Sequence, residues 1–232
     1  MSQLPQESWK DRLRMTREVT PEMLSTRLGR LWGYVVFNYI DHAYLRVWWT
    51  NLDEIAPGVW RSNQPGPRRV RRMYKRLGIK TILLLRGSGT GTHLNFEIEA
   101  TRDAGITLKT INLSARSAYP ASAFLDLLDL FETMERPFLM HCKSGADRAG
   151  IASALYLLSI GKPLSDARKM LSFRYFHLKS IRTGILDVML DHYEEDLANG
   201  PIGIREWLST RYDDARLQRE FDQGRRHGKA WP

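Results

Sequence analysis

The sequence predicts an α/β fold: a central, mostly parallel sheet flanked by helices, with an N-terminal helical extension and a helical C-terminus. Short apolar runs alternate with helical patterns through the middle of the chain, as in βαβ proteins. The run Ile79 to Leu85 is apolar throughout, which is typical of a strand buried on both faces. The chain has 232 residues, of which 43% are hydrophobic, enough for one such domain with additions.

A helical extension is predicted over residues 1–50, and its pattern is clearest from Ser8 to Thr50. The simplest interpretation is a helix that packs an aromatic stripe on the main domain, and the alternative is an amphipathic surface for peripheral contact with a membrane or a partner. The stripe recurs at spacings of three and four residues: Trp32, Val35, Val36, Tyr39, Ile40 and Ala43.

The sheet and its helices are predicted in the central part, residues 51–196, as one domain, and residues 197–232 are expected to form a helical tail. After Pro163 the pattern indicates helices only, in three or four segments. The predicted strands are Val59–Ser62, Ile79–Leu85, Ile106–Leu113 and Pro137–Met140, and the helices between them are Pro67–Leu77, a segment ending at Ala104, Pro120–Glu135 and Ala149–Ile160.

Charge and cysteine content narrow the function classes. The net charge is +9 and the pI about 9.8, which favours anionic partners or reflects an ordinary basic surface. A single cysteine excludes an internal disulfide and a zinc cluster of the Cys/His type, and it fits a reducing, cytoplasmic location. We find no secretory signal and no clean membrane span, and we expect neither a cofactor nor a metal.

The segment Pro137 to Ile151, PFLMHCKSGADRAGI, contains the most informative pattern. It places Cys142 at the end of a predicted strand and Arg148 at the start of a predicted helix. At that edge of a parallel sheet, loop amides and a helix N-terminus form an anion site. The arginine can hold two phosphate oxygens, and the same positive field favours a thiolate placed for attack on phosphorus.

This segment resembles the signature of the cysteine-dependent protein-tyrosine and dual-specificity phosphatases, which is His-Cys, five residues and Arg. The resemblance extends from about Asn51 to His192, and the sequence EIAPGVWRSNQP looks like the start of small dual-specificity-like members. A rhodanese-type sulfurtransferase is the nearest competitor, but its loop is typically one residue shorter. The resemblance implies a metal-independent reaction through a cysteinyl-phosphate, with His141 supporting the loop and phosphate bound by Lys143, Ser144, Gly145, Ala146, Asp147 and Arg148.

Two departures from the family concern catalysis, one in proton transfer and one in release of the thiolate. Most members carry a general-acid aspartate in the loop that corresponds to Asn112–Tyr119, yet no Asp or Glu occurs from Ala104 to Leu125. Asp147 is the candidate replacement, because negative charge on bound phosphate favours a protonated carboxyl; alternatively, it points away and anchors Arg148 or an amide. Ala149 stands where many members have a hydroxyl that helps the thiolate depart.

The substrate class stays open at this level. Lys143 favours highly charged substrates such as phosphoinositides or inositol phosphates, and Arg116 is expected at the pocket border, whereas Arg174, Lys179 and Arg182 are assigned to its far rim. The main hypothesis is a protein-tyrosine or dual-specificity phosphatase, and the alternatives are a lipid or inositol phosphatase and a low-turnover phosphate-binding module. Specific nucleic-acid binding is the weakest idea, because only the basic helix Arg68–Arg76 supports it.

Overall fold

The computed structural model describes residues 19–41, 43–87, 92–179 and 182–226. Its five-stranded sheet has the order β1-β2-β5-β3-β4. Only β1 and β2 are antiparallel, and the other pairs are parallel, which confirms the predicted fold class. The strands are β1 Asp53–Ala56, β2 Val59–Asn63, β3 Thr81–Leu84, β4 Thr107–Thr110 and β5 Phe138–Cys142. The sequence pattern did not predict β1, because a turn follows it at once.

The helices follow the predicted order. The helix that starts at Pro67 ends at Gly78, whose φ of 63° closes it in the left-handed conformation. A π-helical turn spans Val36–Ile40, and 3₁₀ turns span Phe173–Tyr175 and Arg182–Gly184. The α-helices are α1 Pro21–Ser25, α2 Arg27–Val35, α3 Leu45–Trp48, α4 Pro67–Leu77, α5 Thr92–Ala104, α6 Ala121–Thr133, α7 Asp147–Ser159, α8 Leu164–Lys169, α9 Ile185–Ala198, α10 Ile204–Thr210 and α11 Asp214–Arg226.

The two faces of the sheet are buried against different helices. Alternate residues of a strand point to opposite faces: Phe138 and Met140 join one cluster with side chains of α6, α7 and α9, whereas Leu139 joins the other with Val70 and Ala100 of α4 and α5. This burial on both faces is why the central strands β3 and β5 are mostly apolar. Part of the predicted C-terminal tail completes the first cluster, through Trp207, Leu208, Leu217 and Phe221.

The N-terminal extension is not the single helix that the sequence pattern predicts. Thr26 is extended and caps α2 by accepting a hydrogen bond from the Gly29 N–H, so α1 and α2 are separate. The π-helical turn then rotates the buried face, and Val36 and Phe37 pack against Phe96 of α5. The predicted stripe is therefore wrong: Val36 and Ala43 are buried, whereas Trp32, Val35, Tyr39 and Ile40 are exposed.

None of the helices in the described ranges combines the length and apolar character needed to cross a bilayer.

Candidate active site

The predicted phosphate loop lies at the carboxyl edge of the sheet, between the end of β5 at Cys142 and the start of α7 at Asp147. Because β5 is flanked by β2 and β3, the loop lies in the middle of the edge rather than at its side. Gly145 makes its sharp turn possible: its φ is 73°, and a Cβ there would lie 2.6 Å from the Asn63 backbone nitrogen.

The carbonyls of residues 143–146 are hydrogen-bonded to groups that approach from β2 and its flanks. The Gln64 N–H donates to the Lys143 carbonyl (3.2 Å), and Asn51 Nδ2 donates to the Ser144 carbonyl (3.0 Å). The Arg61 guanidinium donates to the next two carbonyls, of Gly145 at 2.6 Å and of Ala146 at 3.3 Å. Four consecutive carbonyls are thereby held on one side of the loop.

The N–H groups of the same loop are left available on the pocket side. Those of Lys143, Ser144, Asp147 and Arg148 donate to no group in the described ranges. Unpaired backbone N–H groups at a helix N-terminus are an anion-binding arrangement. The loop therefore has the donors that the sequence analysis predicts for phosphate.

Cys142 lies beneath this loop and is 1% exposed. Its Sγ accepts a hydrogen bond from the Gly145 N–H at 3.3 Å. The Arg148 guanidinium is half-buried in the pocket wall, and it makes no hydrogen bond or ion pair with any residue of the described ranges. A guanidinium on the pocket wall without a protein partner in the described ranges is suited to an anion that enters from the pocket.

Arg61 supports the loop from inside the protein, and the sequence analysis missed it. It is fully buried, its guanidinium also donates to the Met170 carbonyl (2.9 Å), and it lies 3.7 Å from the Tyr175 ring centroid. Burial lowers the Arg61 pKa to about 10, so the side chain stays cationic at neutral pH. A charged residue in the middle of a strand next to β5 was the available signal.

His141 is buried under the loop and contacts α5. Its Nε2 lies 2.6 Å from Oε1 of Glu97, whose Oε2 accepts a hydrogen bond from Gln64 Nε2 at 2.5 Å. Because the Gln64 backbone also donates to the Lys143 carbonyl, this chain connects His141 to the loop. The supporting role predicted for His141 is compatible with these contacts.

A pocket of about 520 Å³ opens above the loop. Lys143 Nζ lies 2.9 Å from Oδ1 of Asp41, and Arg46 binds the other oxygen at 2.7 Å. Burial of Asp41 opposes its ionisation, but the two cations outweigh it and lower the Asp41 pKa. One carboxylate is therefore shared by two cations, and the three groups together keep a net positive charge in the pocket. The lining residues are Asp41, Leu45, Arg46, Trp49, Asn63, Leu113, Ser114, Ala115, Arg116, Lys143, Ser144, Asp147 and Arg148.

The other predicted cations divide into two groups. Arg116 lines the pocket, as expected for the loop that follows β4. Arg174 and Lys179 do not line it, because they pair with Asp53 at 3.2 Å and with Asp187 at 3.4 Å. Arg182, which lies in a 3₁₀ turn, is not part of the lining either. The predicted far rim is thus wrong for these three residues.

Arg86 is a further cation at this edge that the sequence analysis missed. It follows β3, and its guanidinium donates to Gln64 Oε1 at 3.1 Å. Burial lowers the Arg86 pKa, and the charges of Arg148 and Arg46 lower it further, whereas Cys142 acts in the opposite direction. A basic residue directly after an apolar strand, at the carboxyl edge, was the signal for it.

Asp147 takes part in a contact that the sequence analysis did not foresee. Its Oδ1 lies 2.8 Å from Nδ1 of His177, and Nε2 of the same ring lies 2.7 Å from Oδ2 of Asp187. Asp147 therefore lines the pocket while one of its oxygens is bound to a buried imidazole. Neither His177 nor Asp187 stands in a recognisable motif. No group of three or more His, Cys, Asp or Glu within the described ranges is arranged to hold a metal ion.

The comparisons with known proteins agree with this geometry. The sequence pattern of the tyrosine phosphatase family matches residues 107–169, which include the whole loop. No curated protein matches the chain.

Solved structures are similar in fold at low identity. The catalytic domain of the PP-IP phosphatase SIW14 from S. cerevisiae has a TM-score of 0.50 and 16% identity, and the match covers 66% of this chain and 96% of that one. TpbA from P. aeruginosa has a TM-score of 0.50 and 18% identity, with 75% and 91% covered. The chain is thus similar to the tyrosine phosphatase family over residues 107–169, which include Cys142 and Arg148, and it shares its fold with these solved structures.

Proposed function

We propose that this enzyme hydrolyses phosphate monoesters of proteins, as a tyrosine or dual-specificity phosphatase, and that residues 51–196 form its catalytic domain. The observation that supports this most directly is the loop itself. The carbonyls of residues 143–146 are held by other groups, and the N–H groups of Lys143, Ser144, Asp147 and Arg148 have no partner in the described ranges. The Arg148 guanidinium, which is also unpaired there, lines the pocket, and the Cys142 thiol is buried at the start of the loop.

The reaction follows from these positions in two steps. The Cys142 thiolate attacks phosphorus, an S–P bond forms, and the P–O bond to the leaving group breaks as the leaving oxygen takes a proton. Water then attacks phosphorus, the S–P bond breaks, and inorganic phosphate and the thiolate are released. Arg148 and the loop N–H groups stabilise the equatorial oxygens in both steps.

The pocket walls favour a phosphoprotein over an inositol phosphate. Leu45, Trp49 and Leu113 provide apolar surface above the phosphate loop, which suits an aromatic ring. Lys143 already has a carboxylate partner in Asp41, which weakens the case for Lys143 as a ligand of a second phosphate group. TpbA, a structural relative, has been crystallised with phosphotyrosine, whereas SIW14 is described as a PP-IP phosphatase, and this keeps the phosphoinositide or inositol-phosphate alternative open.

Hydrolysis of aryl phosphates tests the proposal. We expect wild type to release phosphate from p-nitrophenyl phosphate and phosphotyrosine peptides, and Cys142→Ser to lose at least about 1,000-fold in kcat, because the hydroxyl replaces the nucleophile. A preference for inositol phosphates in a panel would instead support the alternative substrate class. Equal activity of wild type and Cys142→Ser would contradict the proposed reaction.

Slow breakdown of the intermediate is a consequence of Ala149, which offers no hydroxyl to the departing thiolate. We expect a burst of about one equivalent of p-nitrophenol, followed by a slower steady phase. Ala149→Ser should shrink the burst and raise the steady rate. Ala152→Ser is the control, since both alanines are fully buried on α7. A linear time course from wild type contradicts this expectation, and a burst without turnover supports the low-turnover binding module.

Contact with an anionic membrane is a further part of the proposal. Helix α3 exposes Val47 and Trp48, the latter 91% exposed, while Arg46 and Trp49 beside them line the pocket. A groove of about 800 Å³ adjoins helix α3, since Arg46 and Val47 contribute to its lining, and it is also lined by Arg68, Arg71 and Arg72. Exposed tryptophan beside arginines is the composition of an interfacial surface.

Vesicle sedimentation checks this contact. We expect binding to vesicles of phosphatidylcholine with phosphatidylserine and weaker binding to phosphatidylcholine alone, because the arginines require anionic lipid. Trp48→Ala should weaken binding about tenfold. Phe173→Ala is the matched control, as Phe173 is an exposed aromatic outside the extension. Equal losses in both variants, or no lipid dependence, would argue against a membrane surface.

The proposal includes a reducing, cytoplasmic location. Cys142 is the only cysteine of the chain, so no second thiol can form a reversible internal disulfide with it. Because the reaction needs a reduced nucleophile, the enzyme depends on its surroundings to keep the thiol reduced.

A further inference from the structure

A buried histidine lies between two carboxylates beside the pocket. The His177 side chain has no exposed surface, and its two ring nitrogens face Oδ1 of Asp147 on α7 and Oδ2 of Asp187 on α9. Asp147 is partly exposed and lines the pocket, whereas Asp187 is buried. The imidazole therefore connects the active site with a carboxylate in the protein interior.

The hydrogen bonds determine how many protons this group holds. An ionised carboxylate can only accept, so two carboxylates facing both nitrogens require both nitrogens to carry hydrogen. Lys179 Nζ lies 3.4 Å from the other oxygen of Asp187, so that carboxyl group contacts the imidazole on one side and a cation on the other. One dissociable proton is thus held between His177 and Asp147.

The pKa of the imidazole agrees with this count. Burial alone would lower the His177 pKa, but the hydrogen bonds and charges of Asp147 and Asp187 outweigh it and raise the pKa from 6.5 to about 9. The imidazolium therefore keeps its proton at neutral pH and loses it as the pH rises through about 9.

The reaction needs a proton donor at this place. The leaving oxygen must be protonated as its bond to phosphorus breaks, and the loop 112–119, where the family carries its acid, has no carboxyl group. Asp147 is the acidic side chain at the helix N-terminus beside Arg148, and its Oδ1 lies 2.8 Å from Nδ1 of His177. The imidazole is therefore placed to replace a proton that Asp147 gives to the leaving oxygen.

We propose that His177 is a positioning residue that orients Asp147 and supplies the proton which Asp147 gives to the leaving oxygen; this rests on the phosphatase reaction proposed above. In the first step the Nδ1 proton passes to the Asp147 carboxylate, and the carboxyl group gives a proton to the leaving oxygen, so that neutral imidazole remains. In the second step Asp147 takes a proton from the attacking water and returns one to His177. Asp187 orients the ring and stabilises the imidazolium.

The test compares leaving groups of different basicity as a function of pH. Wild type and His177→Gln are assayed with p-nitrophenyl phosphate, a good leaving group, and phenyl phosphate, a poor one, between about pH 5 and 10. For wild type we expect kcat/KM for phenyl phosphate to fall above about pH 9, while p-nitrophenyl phosphate shows no such fall. His177→Gln should lose about 100-fold on phenyl phosphate and less than about threefold on p-nitrophenyl phosphate.

Two further variants keep the test decisive. Asp187→Asn retains the imidazole but removes a charge that raises its pKa, so the fall in phenyl phosphate hydrolysis should move to lower pH. This shift decides the question even if His177→Gln does not fold. The control is His192→Gln, which removes a similar contact between a histidine and Glu220 (2.8 Å) outside the pocket and should leave both profiles unchanged.

The possible outcomes separate this inference from the reaction on which it rests. Equal losses on both substrates, or a wild-type profile for phenyl phosphate that stays flat through pH 9, overturn the role of His177 while Cys142-dependent activity remains. If Cys142→Ser were as active as wild type, the proposed reaction itself would be rejected, whatever the comparison of phenyl phosphate with p-nitrophenyl phosphate shows.

Discussion

Replacing Arg61 with methionine should lower kcat/KM for p-nitrophenyl phosphate by about 100-fold, since an error of about 1 Å in a catalytic loop can have this effect. The guanidinium holds the carbonyls of Gly145 and Ala146, and without it the loop N–H groups lose their orientation. The change also leaves the Met170 carbonyl without its partner in the interior. We therefore expect the free energy of unfolding to fall by about 3–5 kcal/mol, as for other buried charged partners. Urea denaturation measures it.

Arg205→Met is the matched control for this prediction. Arg205 pairs with Asp129 and Glu132 on the surface at 2.8 Å from each. Because exposed ion pairs contribute little, this variant should keep the activity and the stability of wild type. If Arg61→Met were as active as Arg205→Met, the loop would not depend on Arg61 for its shape.

Gly145→Ala should abolish most of the activity by a different route. The positive φ of 73° disfavours any side chain, and the new Cβ would lie 2.6 Å from the Asn63 nitrogen, where the strand backbone cannot move aside cheaply. The loop must shift, and with it the N–H groups and the hydrogen bond to Cys142 Sγ. We expect a loss of at least about 100-fold in kcat/KM, measured on the folded protein.

Gly78→Ala separates backbone strain from steric contact. Gly78 has a φ of 63°, close to that of Gly145, but a Cβ there meets no atom within 4 Å. It should cost about 1–2 kcal/mol of stability and leave kcat/KM unchanged. Similar activity losses in both variants would show that strain alone, rather than contact with β2, is responsible.

Both predictions concern contacts between the loop and β2, the strand that pairs with β5. Asn51, Arg61 and Gln64 come from a segment about 80 residues earlier in the chain, and the parallel pairing of β2 with β5 brings them under residues 143–146. The catalytic loop is therefore shaped by the neighbouring strand as much as by its own sequence.

The active-site loop was predicted because its chemistry is local. Cys142, Gly145 and Arg148 lie within seven residues, and an apolar strand before them and a helix after them define their geometry. The order of strands and helices followed from periodicity for the same reason. The N-terminal extension was not predicted correctly, because the Thr26 cap and the π-helical turn change which side chains face Phe96.

Asp147 shows the limit of local patterns most clearly. Its two interpretations, an acid and an anchor, were equally compatible with the loop sequence, and its partner His177 lies 30 residues further on. Lys143 is similar, since its pairing with Asp41 depends on a distant segment.

The sequence by itself determined the α/β architecture, the position of the thiol at the end of the central strand and the arginine at the start of the following helix. Only the tertiary structure decided which groups hold the loop carbonyls, which carboxylate pairs with Lys143 and which imidazole contacts Asp147. The physical reason is that periodicity and turn residues act over a few neighbours, whereas hydrogen bonds and charges act between any groups that the fold brings within a few ångströms.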